Sequence, residues 1–134
     1  PFVSSSSAVT NDLIRLVNVK SFDVVIDVGC GDASVLIDLA KTSGARCIGY
    51  EIDSVLCATA RRKIAESGLT SVVIVEGDIM SADFSVATVI YIFLVPSCLQ
   101  ALSPLLLKKA LPGTRIVSYH FPFPEEDGWT LSDT

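Results

Sequence analysis

Hydrophobic positions along the chain follow two spacings, one typical of helices and one typical of short buried strands. Val9, Leu13, Leu16 and Val17 recur at helical spacing, which predicts a helix over 8–19. Short β-branched runs follow, and helical patterning separates each run from the next. The predicted strands are 23–28, 46–51, 72–76, 87–94 and 114–120, and the predicted helices between them are 33–42, 53–67 and 99–110.

This alternation predicts an α/β fold with a mainly parallel sheet, because a helix that links two parallel strands packs on one face of the sheet. The most apolar run, 86–95, is too short to span a membrane, since a spanning helix needs roughly 20 residues. We therefore interpret it as a buried strand and expect no transmembrane span. The length of 134 residues suits a single domain over 1–134.

Composition narrows the classes of function. Half of the residues, 50%, are hydrophobic and 19% are charged, which excludes a disordered chain. Ten basic residues against fifteen acidic ones give a net charge of -5, which argues against a nucleic-acid partner. The basic cluster Arg61, Arg62 and Lys63 lies in a predicted helix and is interpreted as a solvated face.

The cysteines and the histidine do not form a metal-binding pattern. The four cysteines contain no CxxC pair and His120 is the single histidine, so we expect no metal site. We interpret the cysteines as reduced thiols in a reducing compartment. They are Cys30, Cys47, Cys57 and Cys98.

The strongest motif lies at the first strand-to-helix junction, over 27–34. Gly29 and Gly31 let the backbone approach a ligand without a Cβ collision, and the helix start behind them offers unpaired N–H groups. A dinucleotide fingerprint needs glycine or alanine where Ser34 stands, so a nicotinamide oxidoreductase is the weaker interpretation. Asp27, just before the glycines, favours a cationic ligand such as S-adenosylmethionine.

Two more acidic residues follow the next two strands. Glu51 lies twenty residues after Gly31, where a carboxylate can accept both hydroxyls of a ribose. Asp78 follows the third strand and can accept the exocyclic amine of adenine, with the backbone near Ile79 reading the ring edge. Because parallel strands share one carboxyl edge, these acids and Asp27 are predicted to line one crevice.

Over 8–120 the chain resembles a class I S-adenosylmethionine-dependent methyltransferase. It is most similar to the small protein-lysine methyltransferases that modify the adenine nucleotide translocase and the membrane-ring c protein of ATP synthase. That likeness is carried by 1–3, 27–32, 49–51, 91–96, 111–118 and 121–124. The resemblance implies a Rossmann-like, doubly wound sheet, S-adenosylmethionine as cofactor, and methyl transfer by direct displacement to a protein lysine in the cytoplasm or mitochondrion.

The resemblance also implies roles for particular residues. Tyr91 and His120 are the candidates for accepting the proton of the lysine, although both also fit structural roles. The segment that borders the methyl acceptor comprises Phe93, Leu94, Val95 and Pro96. The cofactor-binding residues are Asp27, Gly29, Cys30, Gly31, Glu51, Ile52, Asp78 and Ile79.

The sheet departs from the class in its strand number. Seven strands are usual in the class, whereas the pattern here yields five, so we expect the last two to be lacking. The exposed edge of the fifth strand then favours a homo-oligomer. A non-catalytic module that binds S-adenosylmethionine and a small-molecule methyltransferase remain open as alternatives.

Overall fold

A computed structural model of the chain describes residues 6–92 and 96–118. The helices are α1 (Ser6–Val17), α2 (Ser34–Ser43), α3 (Ser54–Ser67) and α4 (Pro96–Lys109). The strands are β1 (Val24–Val28), β2 (Arg46–Glu51), β3 (Val72–Glu76), β4 (Val89–Ile92) and β5 (Arg115–Ser118). Short 3-10 turns at Ile79–Ser81 and Phe84–Val86 lie between β3 and β4. None of the helices within the described ranges is long and apolar enough to cross a membrane.

The described strands form one parallel sheet in the order β3-β2-β1-β4-β5. The chain runs outward from β1 to β3, then returns to the other side of β1 for β4 and β5. This reversal leaves a crevice at the carboxyl ends of the strands, where open α/β sheets bind ligands. The predicted Rossmann-like α/β fold with a parallel sheet is confirmed.

Capping residues set the ends of the helices much as their sequence positions predict. Asp53 caps α3, and its carboxylate accepts hydrogen bonds from the N–H groups of Val55 and Leu56 at 2.9 and 3.2 Å. Gly44 ends α2 in the left-handed conformation at φ 77°, as glycine readily does. Gly68 ends α3 in the same way at φ 76°.

Three boundaries differ from the sequence prediction. Helix α1 ends at Val17 rather than at residue 19, because Asn18 adopts φ 54° and leaves the helical conformation. Helix α4 begins at Pro96 rather than at residue 99, since a proline without an N–H suits the first position of a helix. Strand β4 begins at Val89 rather than at residue 87, and its predicted end lies outside the described residues.

Two buried clusters cover the faces of the sheet. One packs α1, α2 and α3 on one face, with Leu13, Leu36 and Leu39 all within 1% of full burial. The other packs α4 and Phe84 on the opposite face. The side chains of β1 and β4 alternate between these clusters, as expected for central strands that are buried on both faces.

A charged network fastens the amino-terminal end of the sheet. The carboxylate of Asp23, which is only 2% exposed, accepts hydrogen bonds from the Lys20 N–H at 2.7 Å, the Thr88 hydroxyl at 2.8 Å and the Arg115 guanidinium at 2.6 Å. Burial raises the pKa of Asp23, but these hydrogen bonds and the positive charge of Arg115 outweigh it and lower the pKa overall. The network joins the start of β1 to β4 and β5.

Candidate functional site

A cavity of about 250 Å³ opens at the carboxyl ends of β1, β2 and β3. Its walls combine apolar side chains, glycine backbone and two carboxylates. The lining residues are Gly29, Tyr50, Glu51, Ile52, Gly77, Asp78 and Ile79. This mixture is typical of a small-molecule site, in which a few polar groups orient a largely apolar ligand.

The glycine turn after β1 is held against β2. The N–H groups of Gly29 and Cys30 both donate to the Tyr50 carbonyl oxygen, at 2.9 and 3.0 Å. Gly29 and Gly31 adopt φ values of 78° and 58°, which glycine accommodates without strain. Ala33 adopts φ 68° and ψ 16° immediately before α2, a conformation that costs an alanine energy.

Gly49 provides the space for this turn from the middle of β2. A Cβ at Gly49 would lie 2.6 Å from Cys30 Sγ and 2.8 Å from Leu36 Cδ1, so any larger residue would displace the turn or α2. Gly49 also pairs with Asp27 in the register of β1 and β2. The close approach of the two strand ends therefore depends on the absence of a side chain here.

Glu51 joins the glycine turn to the start of α3. Its Oε1 accepts a hydrogen bond from the Gly31 N–H at 2.8 Å, and its Oε2 accepts one from the Asp53 N–H at 3.0 Å. The residue is 9% exposed and lines the cavity. A carboxylate oxygen has two lone pairs, so each oxygen can accept a further hydrogen bond from a ligand hydroxyl.

Asp27 lies behind the turn with its carboxyl group almost fully buried, at 3% exposure. No described residue donates a hydrogen bond to that carboxylate. Burial, and in second place the negative charge of Glu51, raise the pKa of Asp27 to about 8. A buried acid in this state gains from a nearby cation, because a positive charge stabilises its ionised form.

Asp78 and Ile79 form the third side of the cavity. The Asp78 Oδ1 accepts a hydrogen bond from the Met80 N–H at 2.9 Å and caps the 3-10 turn that follows β3. The Gly77 N–H donates to the Glu51 carbonyl oxygen at 3.0 Å, which continues the β2–β3 pairing as far as the cavity. An exposed carboxylate thus lies beside the apolar side chain of Ile79 at the rim.

The structure gathers most of the predicted cofactor residues at this cavity. The predicted residues that line it are Gly29, Glu51, Ile52, Asp78 and Ile79. Asp27 and Cys30 are buried behind it, and Gly31 contacts it through Glu51. The sequence analysis missed Tyr50 and Gly77 as lining residues. Their positions next to Glu51 and Asp78 at the ends of neighbouring strands were the available signal.

The residues predicted for catalysis and substrate binding are less fully defined. Tyr91 is 3% exposed and packs in the cluster with α1, α2 and α3, beside Asp27 in the register of β1 and β4. Pro96 is the first residue of α4. The residues that lie outside the described ranges are Phe93, Leu94, Val95 and His120. The catalytic and substrate roles of these residues stay predictions.

The buried thiols near the site are chemically quiet. Burial, followed by the nearby negative charges of Asp27 and Glu51, raises the pKa of Cys30 to about 12. Burial and then the charge of Asp27 raise the pKa of Cys47 to about 12 as well. Because the thiolate is the reactive form, neither thiol is a nucleophile at neutral pH.

Sequence comparisons place the chain among methyltransferases. A family model described as the ANTKMT methyltransferase domain matches residues 27–130. The chain is 34% identical over 131 residues to a protein-lysine N-methyltransferase of Saccharolobus islandicus, with 96% of this chain and 80% of that protein covered. It is 28% identical over 135 residues to the mouse lysine N-methyltransferase that is named for the c protein of ATP synthase, and it spans 53% of that enzyme.

A comparison with solved structures adds a neighbour of different stated function. The fold is similar to an RNA methyltransferase from Salinibacter ruber that was solved in complex with S-adenosyl-L-homocysteine. The TM-score is 0.81 and the identity 39%, with 88% of this chain and 76% of that chain covered. The named relatives therefore agree on methyl transfer and differ in the stated acceptor.

Proposed function

The chain belongs to the ANTKMT methyltransferase domain family, and we propose that it is a protein-lysine N-methyltransferase that uses S-adenosylmethionine. The observation that carries this proposal is the cavity where Gly29, Glu51 and Asp78 meet at the ends of three neighbouring strands. The two protein relatives named above supply lysine as the acceptor. The chain spans about half the length of the mouse relative, so the activity of a whole protein of that size is part of the proposal.

The residues at the cavity fit the chemical groups of S-adenosylmethionine. The buried carboxyl of Asp27 has no described hydrogen-bond donor and suits the positive end of the cofactor. Glu51 retains free lone pairs for the two ribose hydroxyls. Asp78 and Ile79 offer a carboxylate acceptor and an apolar wall for adenine.

When bound, S-adenosylmethionine supplies a methyl carbon that an amine displaces directly from sulfur. The protein then contributes mainly position, because holding two reactants in line can supply up to about 7–11 kcal/mol of the barrier. The acceptor lysine must first lose its proton, and an apolar slot lowers the pKa of a lysine by disfavouring its charge. We assign that slot to Phe93, Leu94, Val95 and Pro96, and proton acceptance through water to Tyr91 or His120.

The Salinibacter neighbour supports a second candidate function, methylation of RNA. It shares 39% of its residues with this chain over the compared region, which is more than either protein relative above. The net charge of -5 argues against this candidate, because binding the phosphate backbone rewards an excess of lysine and arginine. We therefore rank the protein acceptor first.

Methyl transfer to cell extract distinguishes these functions. The purified chain is incubated with tritiated S-adenosylmethionine and a lysate, and the product is then divided between protease and ribonuclease treatment. We expect protease to release the label, ribonuclease to leave it, and mass spectrometry to locate methyl groups on lysine. Label that ribonuclease releases would establish the RNA function instead. Measurable cofactor affinity without any labelled macromolecule would support the non-catalytic module or a small-molecule acceptor.

We propose that any homo-oligomer forms through the β5 edge rather than the β3 edge of this single domain, 1–134. The Arg61 guanidinium donates to the Ile74 carbonyl oxygen at 3.1 Å and lies 3.8 Å from the Glu76 carboxylate. The Cys47 N–H bonds the Ser71 carbonyl oxygen, so alternate residues of β3, including Ile74, direct their backbone groups away from β2. A basic side chain on these groups discourages strand pairing.

We also propose that the chain acts inside the cell, in the cytoplasm or the mitochondrion. Free, buried cysteines at positions 30, 47 and 57 support a reducing environment. Fractionation of cells that express a tagged full-length protein tests this proposal. Recovery from the secreted fraction with oxidised cysteines would contradict it.

A further inference from the structure

Lys63, from the middle of α3, reaches back to the glycine turn. Its Nζ lies 2.9 Å from Asp32 Oδ2 and 2.7 Å from Ser34 Oγ, across 31 and 29 residues of sequence. The sequence analysis interpreted Lys63 as part of a solvated face, and this is wrong, because its side chain is 34% exposed and bonded. Its neighbour Arg62 does fit that interpretation, since it pairs only with Glu66 on the exposed side of the helix.

The two partners of Lys63 flank a strained residue. Ala33 adopts a left-handed conformation at φ 68° and is fully buried at 0% exposure. For a residue other than glycine this conformation costs energy, and it persists only where the surroundings hold it. Asp32 and Ser34, on either side of Ala33, are both fixed by the same ammonium group.

Asp32 also replaces a missing helix cap. Ala33 occupies the capping position of α2 without a side chain that can accept a hydrogen bond. The Asp32 Oδ1 accepts from both the N–H and the hydroxyl of Ser34, at 3.1 and 2.8 Å. Burial raises the pKa of Asp32, but hydrogen bonds from Lys63 and Ser34 outweigh it and lower the pKa. The acid is therefore ionised at neutral pH and complementary to Lys63.

We propose that Lys63 is a positioning residue for cofactor binding, which holds Asp32 and Ser34 so that Ala33 and the preceding glycine turn keep their conformation. Gly29 lines the cavity and Gly31 donates to Glu51, so a change in this turn alters the binding surface directly. The inference rests on the proposed function, since it concerns the binding of S-adenosylmethionine.

The first test compares binding of S-adenosylhomocysteine by the wild-type chain, Lys63→Met, Lys63→Arg and the control Arg62→Met. We expect Lys63→Met to weaken binding about tenfold, Lys63→Arg to recover part of the loss, and Arg62→Met to match the wild type. Steady-state kinetics should show a higher KM for S-adenosylmethionine with kcat changed less than about twofold. A tenfold fall in kcat with unchanged KM, or equal affinity in all variants, would overturn the inference.

The second test uses the strain at Ala33, which Lys63 does not itself contact in any hydrogen bond. Ala33→Gly removes the strain, so Lys63→Met in that background should weaken binding by less than about threefold. An undiminished tenfold effect would show that Lys63 acts on the ligand in another way. If Lys63→Met does not fold, Ser34→Ala, which removes one acceptor of Lys63, should weaken binding about threefold in the wild-type background and not after Ala33→Gly.

These outcomes separate the inference from the proposed function. A wild-type chain that is folded and does not bind S-adenosylhomocysteine would contradict the proposed function itself. A wild-type chain that binds, with a Lys63→Met variant that binds equally well, would contradict only the role of Lys63.

Discussion

The Glu51 carboxylate accepts a hydrogen bond from the Gly31 backbone N–H, with 2.8 Å between Oε1 and nitrogen. The other oxygen of the same carboxylate accepts from the Asp53 N–H at 3.0 Å. One side chain at the end of β2 thus fixes the turn that follows β1 and the start of α3. The binding surface and the fold meet in this residue.

Replacing Glu51 should weaken cofactor binding strongly. Glu51→Ala removes charge-assisted hydrogen bonds to the ribose and to the turn, so we expect the affinity for S-adenosylhomocysteine to fall by about 1.5–3 kcal/mol. Calorimetric titration measures this loss, with Glu66→Ala on the exposed face of α3 as the matched control. An unchanged dissociation constant in a folded Glu51→Ala variant would remove Glu51 from the site.

Cofactor affinity should depend on pH through Asp27. Its pKa is raised to about 8, so below that pH the free protein carries a proton that a cationic ligand must displace. We expect the affinity for S-adenosylhomocysteine to fall as pH is lowered from 7.5 to 6.5, by at most about tenfold. The ligand's amino group stays largely protonated in this range, since an α-amine has a pKa of about 7.7–8.0. A flat profile would argue against Asp27.

Asp27→Asn provides the control for this pH effect and has an effect on stability of opposite sign. The raised native pKa means that Asp27 contributes stability below the pKa of the unfolded chain and loses it as pH rises toward 8. At pH 7.5 the asparagine variant should therefore unfold with a free energy higher by about 1–3 kcal/mol, while binding cofactor more weakly. Denaturant unfolding measures the first change, and a variant less stable than the wild type would contradict it.

A side chain at Gly49 should destabilise the fold. Gly49→Ala places a methyl group 2.6 Å from Cys30 Sγ, which we expect to cost about 1–3 kcal/mol of unfolding free energy. Gly77→Ala is the matched control, because a Cβ there meets nothing within 4 Å. Equal stability of the two variants in denaturant unfolding would show that the turn yields easily.

The pair of Asp23 and Arg115 should contribute measurably to stability at neutral pH. Arg115→Met leaves the buried carboxylate of Asp23 without its cation, and we expect a loss of about 1–3 kcal/mol at pH 7. Because the pKa of Asp23 is lowered in the native state, this contribution is present above about pH 4 and disappears as pH falls through the native pKa. Arg62→Met, in an exposed pair, should change stability by less than about 0.5 kcal/mol. Equal losses in the two variants would contradict the role of burial.

The sequence predicted the features that depend on local pattern. The caps at Asp53 and Gly44 and the alternation of elements follow from residue type and spacing, and Glu51 reached the cavity because strand ends share one edge. Contacts between distant elements could not be predicted in this way. The bond from Lys63 to Asp32 depends on how α3 lies across the start of α2, and no periodicity encodes that packing.

The most direct test of the account is calorimetric titration of S-adenosylhomocysteine into the folded chain, with NAD as the comparison ligand. We predict saturable heat with one S-adenosylhomocysteine per chain and no heat with NAD. Folding is checked on the same sample by circular dichroism. Folded protein that gives no heat with S-adenosylhomocysteine, or that binds NAD in its place, would contradict the central claim that the cavity beside Gly29 is a site for S-adenosylmethionine.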